Sequence, residues 1–165
     1  DAMGLDATAK IQLHVGGRYD DKEEAMKRFL DRYRSLPESL RKRLVIENDD
    51  SLYSLNDCLK LHEECSVPVL FDTFHHECLN KGESLDKAME LAGKTWKQED
   101  GIPMVDYSSQ EKGAKEGKHT ESIDIKHFRN FIQDTKDQEF DLMLEIKDKE
   151  KSALKAERIV SKERN

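Results

Sequence analysis

Apolar residues gather into five short runs: Ile11–Val15, Leu44–Glu47, Val67–Asp72, Ile102–Tyr107 and Phe140–Ile146. Each is rich in β-branched residues or closes on polar ones, and none alternates strictly. Short runs of this kind predict strands covered on both faces, as in parallel sheets. Between them, apolar positions recur at helical spacing. Ala25, Phe29, Leu30 and Tyr33 mark the first such face. Leu55, Cys58, Leu59 and His62 follow Ser54 as an N-cap, and Leu85, Ala88, Met89, Ala92 and Trp96 follow Ser84. Ile125, Phe128, Phe131 and Ile132 follow Asp124, and a last helix from about Lys149 to Lys162 puts Ala153, Leu154 and Ile159 on one side. Strand and helix alternate five times, so right-handed crossovers predict an α/β fold with a parallel sheet. Residues 1–165 read as one domain without an internal boundary. The one long loop, Ser108–Thr120, is rich in lysine and glycine, and loops of that length are usually functional or mobile.

Composition narrows the class. The 165 residues are 36% hydrophobic and 38% charged, with 28 Lys+Arg against 35 Asp+Glu and a net charge of −7. A chain of this size buries a real core, and 3 Pro and 8 Gly exclude collagenous or long disordered character. No apolar run approaches the roughly 20 residues needed to cross a bilayer, and no basic segment followed by an apolar one opens the chain. No membrane partner is expected. Cys58, Cys65 and Cys78 are odd in number and match no metal-knuckle spacing, so reduced thiols and a cytoplasmic location are expected. The acidity argues against nonspecific coating of nucleic acid, but not against a local cationic groove or a carboxylate metal site. The chain opens at Asp1, inside a helix-like phrase and without an initiator Met, and reads as a piece of something longer.

The strand ends carry the chemistry. The first run ends in His14 before Val15-Gly16-Gly17, and the second in Glu47-Asn48-Asp49-Asp50. Asp72 closes the third, with His75 and His76 just beyond, while Asp106 and Glu145 sit in the fourth and fifth. In parallel α/β folds ligands bind at the carboxyl ends of strands, so these positions converge. Carboxylates brought together repel one another and raise each other's pKa, and cations relieve the strain. A mixed set of His and carboxylate suits Zn²⁺, Mn²⁺ or Fe²⁺, and a bridging Glu allows a pair of ions suited to phosphodiester cleavage. A carboxylate after a strand also serves as a helix N-cap, which is the bland alternative at each single position. His62 and His127 lie on helices and read as packing or surface residues, while His76 either orients His75 or is exposed. The Gly16-Gly17 pair lacks the spacing of a dinucleotide turn and instead lets Arg18 reach the mouth of the site.

At Ile11–Gly17, Arg43–Asp50, Pro68–His76, Pro103–Ser109 and Phe140–Lys147 the chain closely resembles the UV damage endonucleases, the UvdE family. The resemblance runs over almost the whole chain. It implies a TIM (β/α)8 barrel related to endonuclease IV, of which this chain supplies only about strands four to eight. It also implies nicking of damaged double-stranded DNA immediately 5′ of cyclobutane dimers, (6-4) photoproducts and some abasic sites, leaving a 3′-hydroxyl. Two or three divalent ions are implied, with Mn²⁺ expected and Zn²⁺ or Mg²⁺ as alternatives. By this resemblance His14 and Glu47 hold the first metal, Glu47 bridges to a second completed by Asp72 and Glu145, and His75 and His119 bind a third. Glu47, Asp72 and Glu145 are then the catalytic set. Many relatives carry Pro-Lys-x-His in the fourth strand, with a histidine ligand and often a carboxylated lysine. Pro103-Met104-Val105-Asp106 stands here, so Asp106 is an oxygen ligand and Met104 replaces no carbamate.

The expected mechanism is metal-assisted phosphodiester hydrolysis, with DNA held by the metals together with Arg18, Lys112, Lys115 and Lys118 and strongly salt-dependent. Two other readings compete. One is a sugar isomerase or epimerase, which uses barrels with similar two-metal sites. The other is an inactive fragment that acts only with a missing N-terminal half of the barrel or a homodimer mate, because an incomplete barrel leaves open sheet edges.

Overall fold

A computed structural model describes residues 3–19 and 21–163. Five parallel strands form one sheet in chain order: β1 (Ile11–His14), β2 (Leu44–Glu47), β3 (Val69–Asp72), β4 (Met104–Tyr107) and β5 (Asp141–Leu144). All the expected strands form, most of them shorter than their apolar runs. Pro68 and Pro103 have no N–H for the ladder, and β3 and β4 begin just after them.

The helices expected from periodicity are α1 (Lys22–Ser35), α3 (Leu55–Cys65), α5 (Leu85–Gly93), α6 (Ile125–Asp134) and α7 (Glu150–Glu163). Two short helices, α2 (Glu38–Arg41) and α4 (Thr73–Cys78), are added, with a 3₁₀ turn at Gln98–Asp100. Met3–Lys10 form turns and irregular backbone rather than the helix-like phrase read there, and Asp1 lies outside the described residues. In α7 the buried face is Ser152, Ala156 and Ile159, whereas Ala153 and Leu154 face solvent. The helix is turned because the Ser152 hydroxyl accepts the buried Ile123 N–H at 2.9 Å.

Pairing fixes which side chains share a face. His14 lies opposite Glu47, Glu47 opposite Leu70, Asp72 opposite Asp106, and Asp106 opposite Met143. Paired residues point the same way and alternate along a strand. One face therefore carries Gln12, His14, Val45, Glu47, Leu70, Asp72, Met104, Asp106, Met143 and, just past β5, Glu145. The opposite face carries Ile46, Val69, Phe71, Val105 and Tyr107, packed on Leu55, Cys58 and Leu61 of α3, Ala88, Met89 and Ala92 of α5, and Phe128, Phe131 and Ile132 of α6. The first face is concave: the Gln12 amide on β1 reaches Asp106 on β4 at 2.9 Å. Burial on both faces holds for β2, β3 and β4, but not for β1 and β5. Among the described residues these two pair with a strand on one side only, and Ile11, Leu13 and Met143 are exposed. The apolar character of an edge strand reads the same in sequence as that of a covered one.

Candidate metal centre

Glu47 is buried at the end of β2. Its Oε2 accepts from Gln12 Nε2 (3.2 Å) and lies 3.7 Å from Nε2 of the half-exposed His14. Asn48, next in the chain, is fully buried and pairs with the main chain of Asp72. Its Nδ2 donates to the Asp72 carbonyl (2.9 Å) and its Oδ1 accepts the Asp72 N–H (3.0 Å). That amide pairing extends the β2–β3 ladder by a side chain and fixes where Asp72 sits. Asp72 then starts α4, its Oδ1 accepting the His75 N–H at 2.8 Å. The helix-cap role is thus real at Asp72, but it uses only one oxygen.

His75 is carried inward by that first turn of α4. Its Nδ1–H donates to the Asn48 carbonyl (2.9 Å), and the same nitrogen lies 3.1 Å from Glu47 Oε1 and 3.5 Å from Asp72 Oδ2. Asp106 is buried on β4 with its Oδ2 on Gln12 Nε2 (2.9 Å). The loop after β4 folds back as a hairpin closed by a Gln110–His119 bridge, which returns His119 over β5. There His119 Nδ1 donates to the Glu145 carbonyl (3.1 Å) and lies 3.7 Å from Glu145 Oε2. The three imidazoles form a row, with ring centroids 5.7 Å apart for His14 and His75 and 5.5 Å for His75 and His119.

Two groups of potential ligand atoms result, each within 4.8 Å: Glu47, Asp72 and His75, and Asp72, Asp106 and Glu145. Asp72 belongs to both. Asp106 falls with Asp72 and Glu145, His75 with Glu47 and Asp72, and His119 in neither group. Among the described residues three buried carboxylate oxygens, Glu47 Oε1, Asp72 Oδ2 and Asp106 Oδ1, accept no well-formed hydrogen bond; the first two face only His75 Nδ1, at 3.1 and 3.5 Å, whose N–H is spent on the Asn48 carbonyl. Unsatisfied buried acceptors are costly, and charged ones more so. The titration behaviour follows. Burial, reinforced by Glu47 and Glu145, pushes Asp72 up to about 7 against the pull of His75 and its N–H. Burial together with Glu145 and Glu47 pushes Asp106 up to about 8. Burial alone would lower His75, but Glu47, Asp72 and the Asn48 carbonyl raise it to about 9. Protons and one imidazolium therefore balance the cluster, and the orphaned oxygens are the atoms a divalent cation would satisfy. The residues fit such an ion: the first group offers nitrogen and oxygen, the second oxygen alone.

Arg18 is exposed beyond the Gly16–Gly17 turn, where Gly16 takes a φ of +106° that favours glycine. Lys112, Lys115 and Lys118 are exposed on the hairpin. None of the four joins the carboxylate–imidazole cluster. His62 bonds the Val67 carbonyl and His127 bonds Tyr107 and Glu77, as packing residues do. His76 is buried against Phe71 rather than exposed. Gln12 and Asn48 were not singled out from the sequence. Gln12 was findable, because it precedes His14 by two and so shares its face; Asn48 gave no signal beyond its place beside Glu47.

A parallel sheet that gathers buried carboxylates and imidazoles at the carboxyl ends of its strands defines an α/β protein able to bind a metal. The chain belongs to the UV-endonuclease UvdE family, whose model matches residues 1–163. It is 41% identical over 157 residues to a UV DNA damage endonuclease of Clostridium perfringens (strain 13 / Type A), covering 94% of this chain and 38% of that protein. It is 31% identical over 156 residues to a UV DNA damage endonuclease of Bacillus mycoides (strain KBAB4), covering 93% and 49%. The crystal structure of SacUVDE superposes with a TM-score of 0.88 at 48% identity, covering 93% of this chain and 51% of that one. The chain spans between 38% and 51% of the length of these relatives. No helix among the described residues is long and apolar enough to cross a membrane.

Proposed function

We propose that this chain forms the metal-holding part of a UV damage endonuclease, hydrolysing the phosphodiester 5′ of UV photoproducts in double-stranded DNA and leaving a 3′-hydroxyl. The observation that carries this reading is the gathering of buried carboxylates beside three imidazoles, with three carboxylate oxygens that accept no well-formed hydrogen bond, in a chain of the UvdE family. His14, Glu47, Asp72, His75, Asp106, His119 and Glu145 hold the metal, in two or three copies and as Mn²⁺ by preference. When bound, divalent ions polarise the phosphate and make a water nucleophilic near neutral pH.

The protein's own part is arrangement and proton release. His75 and His119 each spend Nδ1–H on a backbone carbonyl, which orients the ring; in the neutral form of each, Nε2 is the nitrogen with a lone pair for an ion. Asp72 is held by its cap bond and by Asn48, so its free oxygen is aimed before any ion arrives. To hold an ion here, Asp72, Asp106 and His75 must give up the protons that burial and the neighbouring carboxylates hold on them. Arg18, Lys112, Lys115 and Lys118 bind the flanking phosphates.

The same reading makes residues 1–165 a single partial domain, strands four to eight of a (β/α)8 barrel. Register supports it: Glu47 pairs with Leu70, two residues before Asp72, and Asp106 pairs with Met143, two residues before Glu145, so side chains that converge are offset along their strands, as the stagger of a closing sheet requires. The open edges at β1 and β5 are where the rest of the barrel, or a second copy, would join. Free Cys58, Cys65 and Cys78 agree with a cytoplasmic site of action.

The test is nicking of UV-irradiated supercoiled plasmid by the complete protein with Mn²⁺. Nicked circles are expected from irradiated DNA alone, and Glu47→Gln should slow the reaction at least ~100-fold, beyond the loss typical of a residue outside the ligand set. Ketose–aldose conversion without nicking, or full activity in Glu47→Gln, overturns the reading.

A further inference from the structure

Gln12 sits on β1 two residues before His14, on the concave face and opposite Val45. Its single amide nitrogen donates twice, to Glu47 Oε2 at 3.2 Å and to Asp106 Oδ2 at 2.9 Å. The two acceptors lie on β2 and β4. They belong to different potential ligand groups, Glu47 with Asp72 and His75, Asp106 with Asp72 and Glu145. On each carboxylate the oxygen not taken by Gln12 is buried: Asp106 Oδ1 accepts no hydrogen bond, and Glu47 Oε1 faces only His75 Nδ1, at 3.1 Å.

We propose that Gln12 is a positioning residue that decides which oxygen of Glu47 and of Asp106 faces a divalent cation, and that one amide thereby couples the two halves of the centre. The proposal rests on the reading of the cluster as a metal centre. A carboxylate with one oxygen tied to an N–H cannot swing to chelate through both, so its ligand direction is set before metal arrives. The amide suits the place for a chemical reason. It brings two N–H donors and no charge, so it stiffens two anions without neutralising them. Lysine or arginine there would occupy the cation's electrostatic role, a carboxylate would add repulsion, and an aliphatic chain would leave both ligands free to rotate. Because the reach from β1 to β4 exists only on the concave side of a curled sheet, the strut also ties metal affinity to the curvature of the fold.

The experiment compares the complete protein with its Gln12→Met variant, which keeps the length of the side chain and loses both N–H groups. Mn²⁺ titrations by calorimetry, visible spectra of the Co²⁺-loaded proteins and metal-free melting curves are the readouts. The expected result is a variant that melts cooperatively without metal, binds Mn²⁺ about 10–100-fold more weakly and shows displaced Co²⁺ bands. Gln12→Asn, which keeps the amide on a shorter stem, should fall between the two. Should Gln12→Met not fold, the side-chain amide resonance of Gln12 in the wild-type protein reads the same contact. It shifts on adding Mg²⁺ if the strut answers to the cation, and an unmoved resonance at saturating Mg²⁺ overturns the proposal. Equal Mn²⁺ affinity and identical Co²⁺ spectra in wild type and Gln12→Met overturn this proposal alone. Wild-type protein that takes up no Mn²⁺ overturns the metal-centre reading and the proposal with it.

Discussion

Asp72 shows how one residue serves structure and chemistry with different atoms. Oδ1 caps α4 through the His75 N–H, while Oδ2 is buried and partnerless. Its carboxyl is pushed from 3.8 to about 7, so the folded chain holds this proton more tightly than the unfolded chain does. Folding then takes up a proton between those values, and stability falls as pH rises from about 4 to about 7. Asp72→Asn keeps a capping oxygen and removes the ionisation. In metal-free protein it should leave stability at pH 4 nearly unchanged and raise it at pH 8, by up to about 4 kcal/mol, while weakening metal binding. Denaturant titrations at the two pH values check this; a variant less stable than wild type at pH 8 contradicts it. At this scale the sequence was partly legible. A carboxylate or imidazole at every strand end marked the cluster, because residue type and strand position alone bring such groups together. Gln12 and Asn48 stayed hidden, since their importance lies in which oxygen or carbonyl they bond, and that depends on curvature and on the exit of β3.

Among the elements, α4 is the one that brings His75 to the centre, and it is braced from outside the sheet. Tyr107 on β4 and His127 on α6 are joined by a 2.8 Å bond between the Tyr hydroxyl and Nδ1, and His127 Nε2 lies 2.9 Å from Glu77 on α4. Tyr107 is fully buried, so losing its partner strands a hydroxyl. His127→Leu should cost about 1–3 kcal/mol, and the Tyr107→Phe/His127→Leu pair should cost no more than His127→Leu alone, because both ends of the bond are then gone. A double-mutant cycle in urea measures the coupling, and strictly additive losses would remove the latch from the account. Periodicity revealed the five strands and the five longer helices, each spanning enough residues for a repeat. α2 and α4 are too short to show a period. The edge strands β1 and β5 misled for a different reason: apolar residues on an open edge read in sequence like apolar residues under cover.

For the whole molecule, the two-residue offsets of Asp72 from Leu70 and of Glu145 from Met143, with the reach of Gln12 across the sheet, describe a sheet curled far enough to bring its strand ends together. That convergence makes sense of the acidity: with a net charge of −7, part of the excess lies in a buried cluster that divalent ions would neutralise. The α/β class and the converging strand ends were readable from the chain. Curvature was not, because it is set by pairing register, which no single strand displays. The central claim is that cations occupy the strand-end cluster, and anomalous diffraction at the manganese edge from Mn²⁺-soaked crystals tests it most directly. Peaks are predicted between Glu47, Asp72 and His75 and between Asp72, Asp106 and Glu145. Crystals with no anomalous density at these residues, or with Mn²⁺ only elsewhere, would contradict it.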